Sequence, residues 1–493
     1  MNPLLLIASG CVLLMAIPAF ALQLPEKAAD MTQPTNHAQM VEFLDGLAAE
    51  HSFVTVTEEG RSVEDRSLLL VRVNPDNTPD PWRILLIGVQ HGDEPAGKDA
   101  ILLLIRDIAK DPNILPPGTE LIAFPMINPD GTEQDRRRNA TGMDLNRDHI
   151  LLSAPETRAM HRTVQQLKPD VIVDCHEYGR DPDRYLSRGW VRHSDIMMGA
   201  MNSLHFNEDL IAVTNEWVRE ATAAFEGTAI TYREYDVGGP PPDNEQRFST
   251  MTTTDARNGL GSYGAYSFII ESGRYTANDA PYADFGARVD AYHHLLMHLV
   301  KRQDDRTALR AALDASRGEE LPAHLPVHFF WGNAGTRITD DLVRDAKTGE
   351  DVIVPTPNYM HDRIVKRSVP RPKAYAIPVA HADLFATLLD KHAVPYEVLT
   401  EPRPASVERA RRNADHPGVE YNDTTSTAWA VELLPAQTTT LEPGTLIVPA
   451  TQGTAGRKAA LILEPTLVES LYEFSPYREL EDSNGHLPVL RLL

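Results

Sequence analysis

The sequence predicts an α/β fold: a mixed, largely parallel central sheet flanked by helices, with a second, smaller α/β domain at the C-terminal end. Three observations carry this expectation. Ile84-Leu85-Leu86-Ile87-Gly88 is a continuous apolar run of strand length, as in strands buried on both faces of a parallel sheet. Similar runs at Val171-Ile172-Val173 and Tyr266-Ser267-Phe268-Ile269-Ile270 are separated from it by segments with the apolar density of helices. Polar residues able to do chemistry follow these runs directly, at the strand ends where open α/β sheets keep their sites.

In chain order, His37 to Leu47 reads as a short amphipathic helix, and Leu68 to Val73 and Ile84 to Val89 as strands separated by Asn74-Pro75-Asp76-Asn77 and Pro79-Asp80-Pro81. Ala96 to Ala109 has the pattern of a helix packed on a sheet, and Leu121 to Ile127 is the next strand, ending in the turn signal Asn128-Pro129-Asp130-Gly131. Ser153-Ala154-Pro155-Glu156 has the form of a capping box opening a helix with Met160, Val164 and Leu167 on its apolar stripe. Asp170 to Asp174 follows as a strand, whose alternation puts Asp174 and His176 on one face and Cys175 on the other. A helix at Asp209 to Phe225, a mobile loop around Gly238-Gly239-Pro240-Pro241-Pro242, a strand at Tyr266 to Ile270 and a helix at Ala291 to Arg302 complete this part.

Between about Arg306 and Pro326 the pattern loosens, which divides the chain into a first domain at 22–310 and a second at 327–493. In the latter, strand Ala374 to Val379, helix Ala382 to His392 and strand Tyr396 to Leu399 form a βαβ-like unit, followed by strands at Leu446 to Val448 and Ala460 to Leu463. This half has no comparable group of catalytic residue types, so a structural or accessory role is expected.

A length of 493 residues exceeds one ordinary core, and 42% apolar with 24% charged residues is a globular composition. The formal charge of -23 argues against nucleic acid and anionic membrane surfaces as partners. Pro3 to Phe20 is almost wholly apolar and ends in Ala19-Phe20-Ala21, a small-x-small site, so residues 1–21 read as a signal peptide despite an n-region without Lys or Arg. A periplasmic or secreted protein is expected, without a membrane partner after cleavage. Of the two cysteines, Cys11 and Cys175, cleavage leaves one, so no internal disulfide is expected.

Five signals lie in or beside the predicted strand ends: His91-x-x-Glu94, the turn Asn128-Pro129-Asp130-Gly131, Arg136-Arg137-Arg138-Asn139 with Gly142-Met143-Asp144-Leu145-Asn146-Arg147, Asp174-Cys175-His176-Glu177, and Tyr266-Ser267-Phe268-Ile269-Ile270-Glu271. His91, Glu94 and His176 supply two imidazoles and a carboxylate, enough to hold one Zn2+ and leave a fourth position for water. Zinc lowers the pKa of such a water to about 7. Were such a water to attack an amide, a carboxylate would still have to carry its proton to the leaving nitrogen, and Glu271 at a strand end is the candidate.

The set resembles the zinc carboxypeptidases of the carboxypeptidase A and B type, over roughly 90–275 by motif and 34–302 by order of elements. The resemblance implies a zinc carboxypeptidase-like fold and a peptide substrate with a free C-terminal carboxylate. It implies that Arg137, flanked by Arg136 and Arg138, stabilises the oxyanion, that Asn146 and Arg147 receive the carboxylate, and that Asp144 orients a ligand histidine. Asp174 is a second orienting candidate. The family's loop tyrosine, about twenty residues before the general base, has no counterpart at Phe248-Ser249-Thr250-Met251, and Tyr232, Tyr235 and Tyr263 are the alternatives. The pocket floor falls near Thr254-Asp255-Ala256-Arg257, where an inward Asp255 favours basic side chains and an inward Arg257 acidic ones. Two other functions stay open: a zinc amidohydrolase acting on N-acyl amino acids or cell-wall peptides, and a catalytically inactive binding protein.

Overall fold

The computed structural model describes residues 24–276, 282–333, 335, 338–413, 419–421, 424–426, 430–451 and 453–493. The expected signal segment and Cys11 lie outside them. No helix among the described residues is long and apolar enough to cross a membrane.

The apolar runs form the centre of an eight-stranded mixed sheet. From edge to edge its strands are Val54–Arg61, Ser67–Val73, Thr119–Phe124, Trp82–Gly88, Val171–Gly179, Tyr266–Arg274, Ile196–Ala200 and Tyr232–Glu234. Thr119–Phe124, Trp82–Gly88, Val171–Gly179 and Tyr266–Arg274 are mutually parallel, with antiparallel strands added outside them. Alternation along each strand splits the core in two. Ile84, Leu86, Val171, Val173 and Cys175 pack under helices Ala96–Lys110 and Phe285–Val300. Leu85, Ile87, Ile122 and Ile172 pack under helix Pro155–Leu167. A sheet covered on both faces explains why its strands lack polar alternation.

Several expected elements differ. The strand beginning at Tyr266 runs on to Arg274, so Glu271 sits within it and not at its end. Ser153 does not cap helix Pro155–Leu167: the N-cap is Ala154, without a side-chain cap, and Asp148 holds the approach by accepting from the Ser153 and Ala154 backbone N–H groups at 2.9 and 2.8 Å. The Asn128–Gly131 turn closes into a short helix, Pro129–Glu133, capped by Asn128. The glycine- and proline-rich segment expected to be a loop is one beyond Gly238, and the flanking residues pair as a hairpin, Asp236–Gly238 against Gln246–Phe248. Ala460–Leu463 is the end of helix Gly453–Leu463, a short apolar run whose period could not distinguish helix from strand.

Residue 310 lies inside helix Arg306–Gly318, whose Leu313 is buried in the main core. Beyond it, Ala374–Ile377, helix Ala382–Lys391 and Glu397–Val398 follow in the expected order. Both strands pair antiparallel with Leu446–Pro449, which lies between them, so they run parallel without touching. Two other strands reach back to the first part: Asp340–Asp345 pairs with Trp190–Arg192, and Tyr359–Met360 pairs with Gln246–Phe248.

Candidate metal centre and active-site cleft

The chain leaves Trp82–Gly88 through a tight passage. Val89 takes φ +58, a region costly for a β-branched residue. Gly92 then passes so near the next loop that a Cβ would lie 2.1 Å from the Gly131 carbonyl carbon. This passage delivers His91 and Glu94 beside His176, which stands within the neighbouring strand Val171–Gly179, a strand running past the expected end at Asp174.

His91 Nδ1 and His176 Nδ1 each lie 2.9 Å from an oxygen of Glu94 and 3.0 Å from one another. All three side chains are buried, and their ligand atoms fall within 4.8 Å of one another. Behind the rings, Asp144 Oδ1 lies 3.1 Å from His91 Nε2 and Asp174 Oδ2 lies 2.7 Å from His176 Nε2. With each Nε2–H donating to its carboxylate, both Nδ1 lone pairs face the carboxylate of Glu94. Three acceptors directed at one point repel unless a cation sits between them, which is the donor set zinc requires. A tetrahedral ion with bonds of about 2.0–2.1 Å spaces its donors about 3.3 Å apart, so binding needs only a small outward shift.

The electrostatics match. Burial alone would push the His176 pKa down, but the charge and hydrogen bond of Asp174, then Glu94, raise it well above the ordinary range. Burial opposes ionisation of Glu94, yet His91 and His176 hold its carboxyl well below the usual value. Asp174 is itself fixed by Gln90 Nε2 at 2.8 Å, and Gln90 Oε1 accepts from His149 Nε2 at 3.0 Å. The chain of polar groups continues through His161 to the Tyr263 hydroxyl, in steps of 3.0 Å. Gln90 and His149 carried no sequence signal, since their role depends on contacts between distant segments.

A cleft of about 300 Å³ opens over this centre, lined among others by His91, Glu94, Arg137, Asn146, Arg147, Tyr235, Asp255 and Glu271. Glu271 stands directly opposite His176 across the parallel ladder. Burial raises its pKa to about 6, with Glu94 adding to the rise and His176 and the hydrogen bond from Tyr235 opposing it. Of the three tyrosines, Tyr235 is the one in the cleft. The Tyr232 hydroxyl donates to the Val218 carbonyl, and Tyr263 is engaged with His161 and Gln165.

Of the three consecutive arginines, Arg137 faces the centre. Its Nε donates to Asp144 Oδ2 at 3.0 Å, and one terminal nitrogen lies 3.1 Å from His91 Nδ1 and 3.4 Å from Glu94 Oε1. Arg136 and Arg138 donate to the Asn139 and Gly142 carbonyls. Asp144 thus braces His91 and Arg137 together. Asn146 Oδ1 accepts from the Ala256 N–H at 2.8 Å while its Nδ2 lies 3.1 Å from His176 Nε2. Arg147 donates to the Asn146 carbonyl at 2.6 Å and pairs with no carboxylate among the described residues. Asp255 reaches the cleft but caps helix Ala256–Gly261 and lies 3.3 Å from buried Arg257, which is absent from the cleft wall. Arg184 and Arg192, not singled out in the sequence, also line the wall.

Residues 40–181 match the family model described as zinc carboxypeptidase. This segment belongs to the zinc carboxypeptidase family. The carboxypeptidase segment supplies His91, Glu94 and His176, whereas Glu271 lies beyond it. The chain is 28% identical over 267 residues to probable carboxypeptidase 2 of Trichophyton verrucosum, covering 51% of each protein. It is 30% identical over 135 residues to carboxypeptidase SOL1 of Arabidopsis thaliana, covering 24% of this chain and 28% of that one. The chain spans about half the length of the first curated relatives it matches. The structure of a metallo-carboxypeptidase from Burkholderia cenocepacia superposes over 54% of this chain and 69% of that one, with 18% identity and a TM-score of 0.43.

Proposed function

We propose that the protein is an exported zinc carboxypeptidase that hydrolyses the last peptide bond of substrates with a free C-terminal carboxylate. The observation that carries this reading is the convergence of His91 Nδ1, Glu94 and His176 Nδ1 beneath a cleft in which Glu271 faces His176. Export rests on Pro3 to Phe20 and the Ala19-Phe20-Ala21 site. In this reading 22–310 is the catalytic domain and 327–493 an accessory one.

His91, Glu94 and His176 would hold the ion. When bound, zinc polarises the scissile carbonyl and lowers the pKa of water to about 7. Glu271 accepts the proton of the attacking water and returns it to the leaving nitrogen. Its pKa of about 6 keeps it ionised at neutral pH yet close enough to exchange protons in both directions. Arg137 presents N–H donors beside the ligand atoms, where the carbonyl oxygen gains charge. Arg147, at the cleft wall and without a carboxylate partner among the described residues, receives the terminal carboxylate through two parallel N–H groups, with Asn146 beside it.

The test compares a peptide with a free C-terminus against its C-terminal amide, for the wild type and Glu271→Gln. We expect release of the last residue from the free peptide alone, and a fall of about 10²–10⁴ in kcat for Glu271→Gln with zinc content retained. Equal cleavage of both peptides, or a fully active Glu271→Gln, would overturn the reading.

A further inference from the structure

A second cavity, of about 330 Å³ and sharing no lining residue with the metal centre's cleft, lies at the C-terminal end of helix Pro155–Leu167, where the first part of the chain meets the last. Its volume is at the low end of the roughly 300–1,000 Å³ typical of small-molecule sites. Its wall carries Lys168, Arg317 and Lys458 but no Asp or Glu, in a protein whose formal charge is -23. Lys458 forms the interior of this site. Its side chain is buried, its Nζ donates to the Gly259 carbonyl at 3.0 Å and sits 3.8 Å from the centre of the Tyr263 ring, and no carboxylate pairs with it among the described residues.

A buried ammonium without a counter-charge is costly. Burial and Arg457 push the Lys458 pKa well below its ordinary value. Arg317, part of the cavity wall, uses one terminal nitrogen on exposed Asp314 and Nε on the Gly264 carbonyl, and its other terminal nitrogen has no carboxylate partner among the described residues. Lys168, exposed at the opening, makes no ion pair among the described residues. His392 supplies an independent sign. It is 2% exposed, its Nε2–H donates to the Ile150 carbonyl at 2.7 Å, and this tautomer makes Nδ1 an acceptor that has no hydrogen-bond partner among the described residues. Buried polar atoms of this kind are rare in folded proteins. Val164, Ala265 and Ala455 add an apolar wall.

We propose that this cavity binds a small organic carboxylate that also carries a hydroxyl or amino group, its carboxylate meeting Lys458 and Arg317 and its donor meeting His392 Nδ1. The site is separate from the carboxypeptidase cleft and does not depend on the function proposed for it.

Isothermal titration of the full chain with L-malate, succinate and inorganic phosphate tests this, in an Arg147→Gln background that removes the cleft's unpaired guanidinium. We expect saturable L-malate binding, weakened about tenfold or more by Lys458→Met, and weaker binding of succinate, which lacks the hydroxyl. Arg317→Gln should weaken malate in the same sense. It serves as the second variant if thermal melts reveal that Lys458→Met does not fold. No saturable malate binding below about 10 mM, binding unaffected by both substitutions, succinate binding as tightly as malate, or phosphate binding alone would each overturn the assignment.

Discussion

Each imidazole that faces Glu94 depends on a carboxylate behind its ring. Asp174 fixes the His176 tautomer without entering the cleft, so Asp174→Asn should weaken zinc affinity by about 10–100-fold, read by competition with a chromophoric chelator. Unchanged affinity would mean that Gln90 and Asp174 serve only packing. Tyr235 acts on Glu271 by donating a hydrogen bond to its charged form. Tyr235→Phe removes that donor, so the Glu271 pKa should rise, and the acid limb of the kcat/KM profile should move to higher pH. A profile that keeps its acid limb while the rate falls would assign Tyr235 to substrate contact instead.

At the scale of elements, the ladder between Val171–Gly179 and Tyr266–Arg274 sets His176 against Glu271, and the loop packed on Asn128 sets His91 and Arg137. Asn128 accepts from the Gly131 N–H and donates to the Gln90 and Arg137 carbonyls at 3.0 and 3.3 Å. Asn128→Ala leaves these buried groups unsatisfied and should cost about 1–3 kcal/mol, measured by denaturant melts. The parts legible in the sequence were those written into a few adjacent residues: the apolar strands, the His91–Glu94 pair, and the alternation that puts Asp174 and His176 on one face. Signals with two physical meanings misled. Ser272-Gly273 has the composition of a turn, but the ladder continues through it opposite Glu177 and Tyr178, and the glycine answers to crowding, since a Cβ at 273 would lie 2.7 Å from the Arg180 side chain. Choosing Tyr235 from three tyrosines required knowing how Tyr232–Glu234 docks on the sheet edge, which no local pattern specifies.

Across the whole molecule, the C-terminal part buttresses the cleft. Glu469 accepts hydrogen bonds from Thr252 and Thr254, and Met251 packs with Phe329, Leu467 and Val468, fixing the segment that supplies Ser249, Thr250 and Asp255 to the wall. His205 lies buried at this junction, its ring 6.1 Å from Phe329. Burial is the main reason its pKa falls to about 4. An unfolded histidine titrates near about 6.5, so between these values the unfolded chain binds more protons, and stability present above pH about 6.5 is lost toward pH about 4. Thermal melts over this range should decline less steeply for His205→Gln than for the wild type. Parallel curves would place the acid sensitivity elsewhere. Chelation should lower Tm at neutral pH, because removing a ligand that binds only the folded state withdraws its binding free energy. An unchanged Tm would mean that zinc contributes nothing to folding.

The pairing of Trp190–Arg192 with Asp340–Asp345, and of Thr252 with Glu469, has a consequence for biosynthesis. A ribosome that has just exposed residue 302 has already delivered every residue of the triad and Glu271, yet none of the downstream braces. Proteolytic competence should therefore wait until the last part of the chain has docked, whichever side of the membrane folding takes place on. Refolding of the denatured chain, followed in parallel by peptide hydrolysis and by the near-ultraviolet signal of Trp331 at this junction, would reveal activity returning no earlier than that docking.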